Sequence, residues 1–174
     1  MLTLENRRDK FMMMMGKYIP TEFINWLIVN GFFNAPASTK HHGNYEGGLF
    51  DHSYAVAETL NQLTKANRLS WDNLRSPFVV GMFHDLCKID NYIKTENGFD
   101  YDKECLIPGH GEKSVIIILQ HMSLTLEEIM CIRWHMGAFD DKENWNYYTK
   151  AVNQYPNVLW THQADMIASQ ILGG

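Results

Sequence analysis

The run Phe78-Val79-Val80-Gly81-Met82-Phe83 carries no polar side chain, and the next two residues are His84 and Asp85. Pro77 stands where a helix begins, because its missing N–H is one of the donors a first turn leaves unpaired. A helix that is apolar on every face belongs inside a bundle of other helices. Ending it on an imidazole and a carboxylate brings ionisable groups to the core, where each needs a hydrogen-bond partner or a cation. That combination constrains both the fold and the chemistry.

At 174 residues, 45% of them hydrophobic and 20% charged, the chain suits one globular domain over 1–174 and does not read as disordered. Helices are expected over Leu4–Lys17, Thr21–Asn30, Leu49–Lys65, Glu112–His121, Leu126–Met136, Asn144–Gln154 and Val158–Leu172. Leu49, Val56, Leu60 and Leu63 recur at helical spacing, with His52 on the same stripe. Thr21 is a plausible cap, Gly31 a stop, and Ser123 to Glu128 supply a cap followed by first-turn acids. The segment 34–48, with Pro36, Gly43, Gly47 and Gly48, reads as loop. Tyr92 to Tyr101, with Asn97-Gly98 at its centre, reads as a small hairpin. Met12 to Met15 cannot all face one side of a helix and read as adaptable core filler. The expected fold is an all-α helical bundle with one small β-hairpin, its N-terminal helices (1–31) joined to a core of about 36–170.

Fifteen Lys and Arg against twenty Asp and Glu leave a formal charge of −5. A mildly acidic surface repels phosphate backbones, which argues against extended nucleic acid but permits a short nucleotide at a local cationic site. Cys87, Cys105 and Cys131 form no CxxC pair, and the charged N-terminus holds no secretory apolar region, so a reducing cytoplasm is expected. Val115 to Leu119 falls far short of the roughly 20 apolar residues that span a bilayer, so no membrane partner is expected. Met- and aromatic-rich helices offer a face for a homodimer, with oligomeric state left open.

His52, His84, Asp85, His135 and Asp165 all fall in apolar or aromatic helical surroundings. A divalent ion would neutralise the carboxylates and use neutral imidazoles as ligands. Neighbours on a helix point about 100° apart, so His84 and Asp85 share one ion only in a cleft between helices. Lys88, at i+4 from His84 and i+3 from Asp85, places an ammonium beside that ion, to hold a phosphate or to balance Asp85. Taken alone, a His-Asp doublet is common by chance and Lys88 reads as an ordinary solvated lysine.

Read in order, His52, His84-Asp85, His110, His135 and Asp165 form a spaced series. It resembles the HD superfamily of metal-dependent phosphohydrolases, from Pro36 to about Ser169. Gly47-Gly48-Leu49-Phe50-Asp51-His52 looks like that family's entry to its first metal helix. Phe83-His84-Asp85-Leu86-Cys87-Lys88 looks like its doublet motif, with Cys87 where glycine is usual. Gly109-His110-Gly111-Glu112, His135-Met136-Gly137 and Ala164-Asp165-Met166 resemble the later motifs. The nearest subgroup is the HD module of bacterial 3′→5′ exoribonucleases, which His41-His42 upstream of the glycines also resemble. Two departures stand out: there is no room for the nucleic-acid-binding OB domain, and Trp134 precedes His135 where a second histidine is usual.

The resemblance implies that His52, His84, Asp85 and Asp165 hold one metal and that His110 and His135 hold a second, bridged by Asp85. Asp85 and Lys88 would be catalytic, and Lys88, His41 and His42 would contact substrate. One or two divalent transition metals are implied (Mn, Fe, Co, Ni or Zn rather than Mg), because the set is rich in histidine. The implied activity is hydrolysis of a phosphomonoester or phosphodiester, in a nucleotide or short oligonucleotide, by metal-activated water. A di-iron oxygenase built on the same ligands and a non-catalytic nucleotide-binding module are the alternatives. Among the remaining residues, His121 and His162 read as helix-surface or capped, and a catalytic role for Glu112 is optional. Tyr45, Tyr92, Tyr101, Trp134 and Trp145 could stack on a base, but aromatics at such spacings read more readily as core, and Cys87 reads as packing rather than a nucleophile.

Overall fold

The computed structural model describes residues 2–41, 43–96, 98–103, 106–107 and 109–172. The central apolar segment is α4 (Ser76–Phe83), with Pro77 in its first turn. Val79, Val80, Met82 and Phe83 have no exposed surface, so the helix is enclosed on all sides as its composition requires. It packs against α1 (Leu4–Met15), α3 (Gly48–Asn67), α6 (Leu126–Arg133) and α8 (Asn157–Ile167).

The crossing of α3 and α4 is unusually close: a Cβ on Gly81 would fall 2.5 Å from the Ala57 Cα. Only a residue without a side chain permits that approach. Near this crossing, His52 on α3 and His84 beyond α4 face one another. At one side of α4, rings from Phe11, Phe23, Phe33, Phe50 and Phe83 pack together, including Phe23–Phe83 at 5.1 Å and Phe11–Phe33 at 5.3 Å between centroids. Such pairs add about 0.5–1.5 kcal/mol each beyond their area burial.

The all-α expectation holds, with one antiparallel hairpin, β1 (Tyr92–Thr95) with β2 (Gly98–Tyr101), in register from Tyr92 opposite Tyr101 to Thr95 opposite Gly98. Asn97, expected in its turn, lies outside the described residues. Gly31, at φ +80°, follows α2 (Thr21–Val29) as a left-handed stop. Thr21 does not cap that helix: Pro20 holds the cap position, and Thr21 is the first helical residue. Of the four methionines, Met15 is buried and Met14 half-buried, while Met12 and Met13 point to solvent, so core filler describes two of them. Thr125 and Glu128 form a reciprocal capping box at α6, a pair of interactions that satisfies two orphan backbone donors. After α5 (His110–Leu119) and α6, α7 (Trp145–Gln154) is entered through a 3₁₀ turn, and α8 passes into a π-helical turn over Ala168–Leu172. Among the described residues, no helix is long and apolar enough to cross a membrane.

Candidate metal centre

Two of the four helices expected to carry metal ligands, α4 and α6, stop just before them. His84 is the cap residue of α4, and Asp85, at φ −109° and ψ 21°, has left the helix. The 100° relation expected between them therefore does not apply. Leu86–Ile89 is instead a 3₁₀ turn, in which side chains three apart eclipse, and the Lys88 Nζ lies 2.7 Å from the Asp85 Oδ2. In the same way α6 ends at Arg133 rather than Met136, so His135 follows the helix.

This placement sets the ring tautomers. The Nδ1 of His84 is 2.9 Å from the Gly81 carbonyl, and that of His135 is 2.7 Å from the Ile132 carbonyl. A carbonyl can only accept, so Nδ1 carries the hydrogen in both rings. In the neutral imidazole this leaves the Nε2 lone pair facing the interior, the arrangement that prepares a histidine as a ligand. Unpaired carbonyls at helix ends are what make this anchoring available.

Four donor atoms then meet. The His52 Nε2 is 3.3 Å from the His84 Nε2 and 3.1 Å from the Asp165 Oδ1. The Asp85 Oδ2 is 3.3 Å from the His84 Nε2 and 3.8 Å from the His52 Nε2, and the His84 Nε2 is 3.8 Å from the Asp165 Oδ1. Donors about 2.1 Å from a common centre are about 3.0 Å apart at right angles and about 3.4 Å apart tetrahedrally. The 3.1–3.3 Å spacings fall in that range, and the two 3.8 Å spacings are wider. Charge agrees with shape: burial disfavours a protonated His84, but the Asp85 and Asp165 carboxylates outweigh it and raise the ring's pKa above its ordinary value. At His52 burial prevails and the pKa falls. Burial likewise opposes ionisation of Asp85, yet Lys88, His84 and His135 hold its carboxyl well below the usual range.

A second group of donors lies beside the first. Among the described residues, the Asp85 Oδ1 and His135 Nε2 are buried without a hydrogen-bond partner, 3.5 Å from each other. Leaving such atoms unsatisfied costs about 1–3 kcal/mol each, which a shared cation would recover. His110, the first residue of α5, has a ring nitrogen within 4.8 Å of donor atoms of Asp85 and Cys87. Gly111 makes this approach feasible, since a Cβ there would run into the Arg133 backbone at the end of α6. His84, His135 and Asp165 also have donor atoms within 4.8 Å of one another. All six residues implied as ligands are thus drawn to one region.

The donors open on a cavity of about 740 Å³, a volume suited to a small organic ligand. Asp85, Lys88, His110 and Asp165 line it together with His41, Tyr92, Tyr101, Phe139, His162 and Met166. His41 is therefore at the cavity, whereas His42 lies outside the described residues. Tyr92 and Tyr101, read as core, instead form a cross-strand pair on the cavity wall, with ring centroids 5.2 Å apart. Trp134 is core as expected, while Trp145 is exposed and Tyr45 donates to the Asp51 carboxylate at 3.2 Å. His162 is not a surface residue: its ring faces the cavity and its Nδ1 is 2.8 Å from the His135 carbonyl. His121 stacks on Phe23 at 4.9 Å between centroids. Glu112 forms an ion pair with Arg133.

Sequence reasoning missed Arg7. It is buried and clamps Asp51 through two 2.9 Å hydrogen bonds, one residue before His52. Gly47, at φ +86°, is required there, because a side chain would occupy the guanidinium's space. The available signal was its spacing of four from Phe11 and eight from Met15, on the buried face of α1. Comparison of the chain with family models, with curated proteins and with solved structures finds no match. What marks it is its own geometry, buried His, Asp and Cys donors within metal-binding distance of one another.

Proposed function

We propose that the chain is a metal-dependent phosphohydrolase that cleaves a phosphomonoester or phosphodiester in a nucleotide or short oligonucleotide, in keeping with the HD superfamily it resembles. The observation that carries this reading is that the His52 and His84 Nε2 atoms lie 3.3 Å apart and each lies 3.1–3.8 Å from a carboxylate oxygen of Asp85 and of Asp165, at a cavity of small-ligand size. His52, His84, Asp85 and Asp165 would hold one divalent transition ion, and Asp85, His110 and His135 a second. A bound divalent ion polarises a phosphoryl oxygen and makes water acidic enough to attack near neutral pH.

The chain's own residues do the rest. The Gly81 and Ile132 carbonyls hold the His84 and His135 rings in one tautomer, so both offer Nε2 without a rotamer search. Lys88, kept charged by Asp85, presents its ammonium at the cavity wall, where an anionic phosphoryl oxygen would be stabilised as charge develops. Tyr92 and Tyr101 offer aromatic surface for the non-reacting part of the substrate, and His41 adds a hydrogen-bonding group.

The test is metal quantification of the purified protein beside an Asp85→Ala variant, followed by phosphatase and phosphodiesterase screens with Mn²⁺. One to two transition-metal equivalents, lost in the variant, with turnover of a phosphate ester, are expected. A protein that takes up no metal sinks the reading. One that takes up iron, consumes dioxygen and leaves every phosphate ester intact replaces it with an oxygenase.

A further inference from the structure

We infer that Cys87 supplies a thiolate ligand to the second metal position, together with Asp85 and His110, making that position selective for thiophilic ions such as Zn²⁺ or Co²⁺ over Mn²⁺ and Mg²⁺. This rests on the metal-dependent reading above and extends it to a residue that reading leaves unused.

The Cys87 Sγ is fully buried and 3.7 Å from the His110 Nδ1. For a tetrahedral ion with metal–sulfur and metal–nitrogen bonds of about 2.3 and 2.05 Å, the two donors are about 3.6 Å apart. A carboxylate oxygen of Asp85 completes the group within 4.8 Å. An independent observation points to a cation beside Asp85: among the described residues, the Asp85 Oδ1 and His135 Nε2, both deeply buried, have no hydrogen-bond partner.

Neighbouring groups hold the sulfur in place. Lys113 donates to the Asn91 Oδ1 at 2.8 Å, and since an ammonium can only donate, the Asn91 amide must turn its NH₂ toward the Cys87 Sγ, 3.7 Å away. The Ser114 Oγ accepts from the Cys87 N–H at 3.1 Å and fixes the backbone. On binding, the S–H bond breaks, a sulfur–metal bond forms, one water leaves the ion and the proton passes to solvent. No oxidant or reductant is involved. Thiolate ligation favours Zn²⁺ and Co²⁺ and is poorly matched to Mn²⁺ and Mg²⁺.

The experiment is titration of chelator-stripped protein with Co²⁺, followed by absorption spectroscopy, on the parent and on Cys87→Ala and Cys87→Ser. The parent should develop a near-ultraviolet thiolate-to-cobalt charge-transfer band as the second equivalent binds. Both variants should lose that band and the second equivalent while keeping the visible ligand-field band of the first. Two equivalents bound by the parent with no charge-transfer band would overturn the role of Cys87 and leave the metal centre standing. A band that survives in both variants would assign it to another cysteine and equally overturn the inference. Failure of the parent to bind any Co²⁺ would remove the metal-dependent reading itself. If neither variant folds, absence of the band from the parent still overturns the inference.

Discussion

The two halves of the donor cluster are built differently. His52 and His84 come together where α3 and α4 touch backbone to backbone, and both are buried. His110 opens α5 beside the cavity, is half-exposed, and reaches its partners because Gly111 abuts the end of α6. The first half is set by a helix crossing inside the core, where packing allows little motion. The second is set by a helix end and a turn, where stability is locally lower. The first position should therefore bind a cation more tightly and the second exchange it more readily.

The largest effect is expected where the halves join. Asp85 offers one oxygen to each, so Asp85→Ala should abolish binding at both and reduce turnover by more than about 100-fold, exceeding the usual loss when an outer partner of a ligand is removed. Metal analysis showing one equivalent retained would break the joint arrangement. His110→Ala should weaken the second ion alone, by at least about 10–100-fold in affinity on isothermal titration. Equal weakening at both positions would erase the distinction.

A smaller effect should separate the two glycines. Gly81→Ala forces α3 and α4 apart and should cost about 1–3 kcal/mol in urea unfolding, with weaker binding of the first ion. Gly111→Ala should weaken the second ion while leaving the first unchanged.

pH offers a further test on cation-free protein. Burial opposes ionisation of Asp165, but His52 and His84 outweigh it and hold the carboxyl below its ordinary value. Such a group stabilises the fold fully above the unfolded-chain value of about 4, and that stabilisation is lost as pH falls further toward the folded value. Thermal melts should thus decline below about pH 4, and Asp165→Asn should flatten that decline. An unchanged slope would show that Asp165 is not held by the histidines. Least affected should be the rim: Tyr101→Ala is expected to leave metal content intact and change KM by only a few-fold.

Much of this was legible in residue order. The all-round apolar α4, the capping box at Thr125 and the hairpin all follow from local rules of periodicity and capping that need no knowledge of distant residues. The helix end before His135 was misjudged, because the apolar pattern continues past the point where that imidazole turns back to a carbonyl three residues earlier. The tyrosine pair was misplaced for a related reason: aromatic content signals burial but not whether the ring meets core or cavity.

The sequence by itself determined a helical bundle whose buried helices carry imidazoles and carboxylates that cannot remain unpaired, because desolvation cost depends on residue type and apolar context. Tertiary structure alone decided which of those groups meet, since the distances hang on two glycine contacts, Gly81 with Ala57 and Gly111 with Arg133, between segments far apart in the chain. It alone also brought Cys87 beside His110, and buried Arg7 against Asp51, because each contact forms only after the helices have packed.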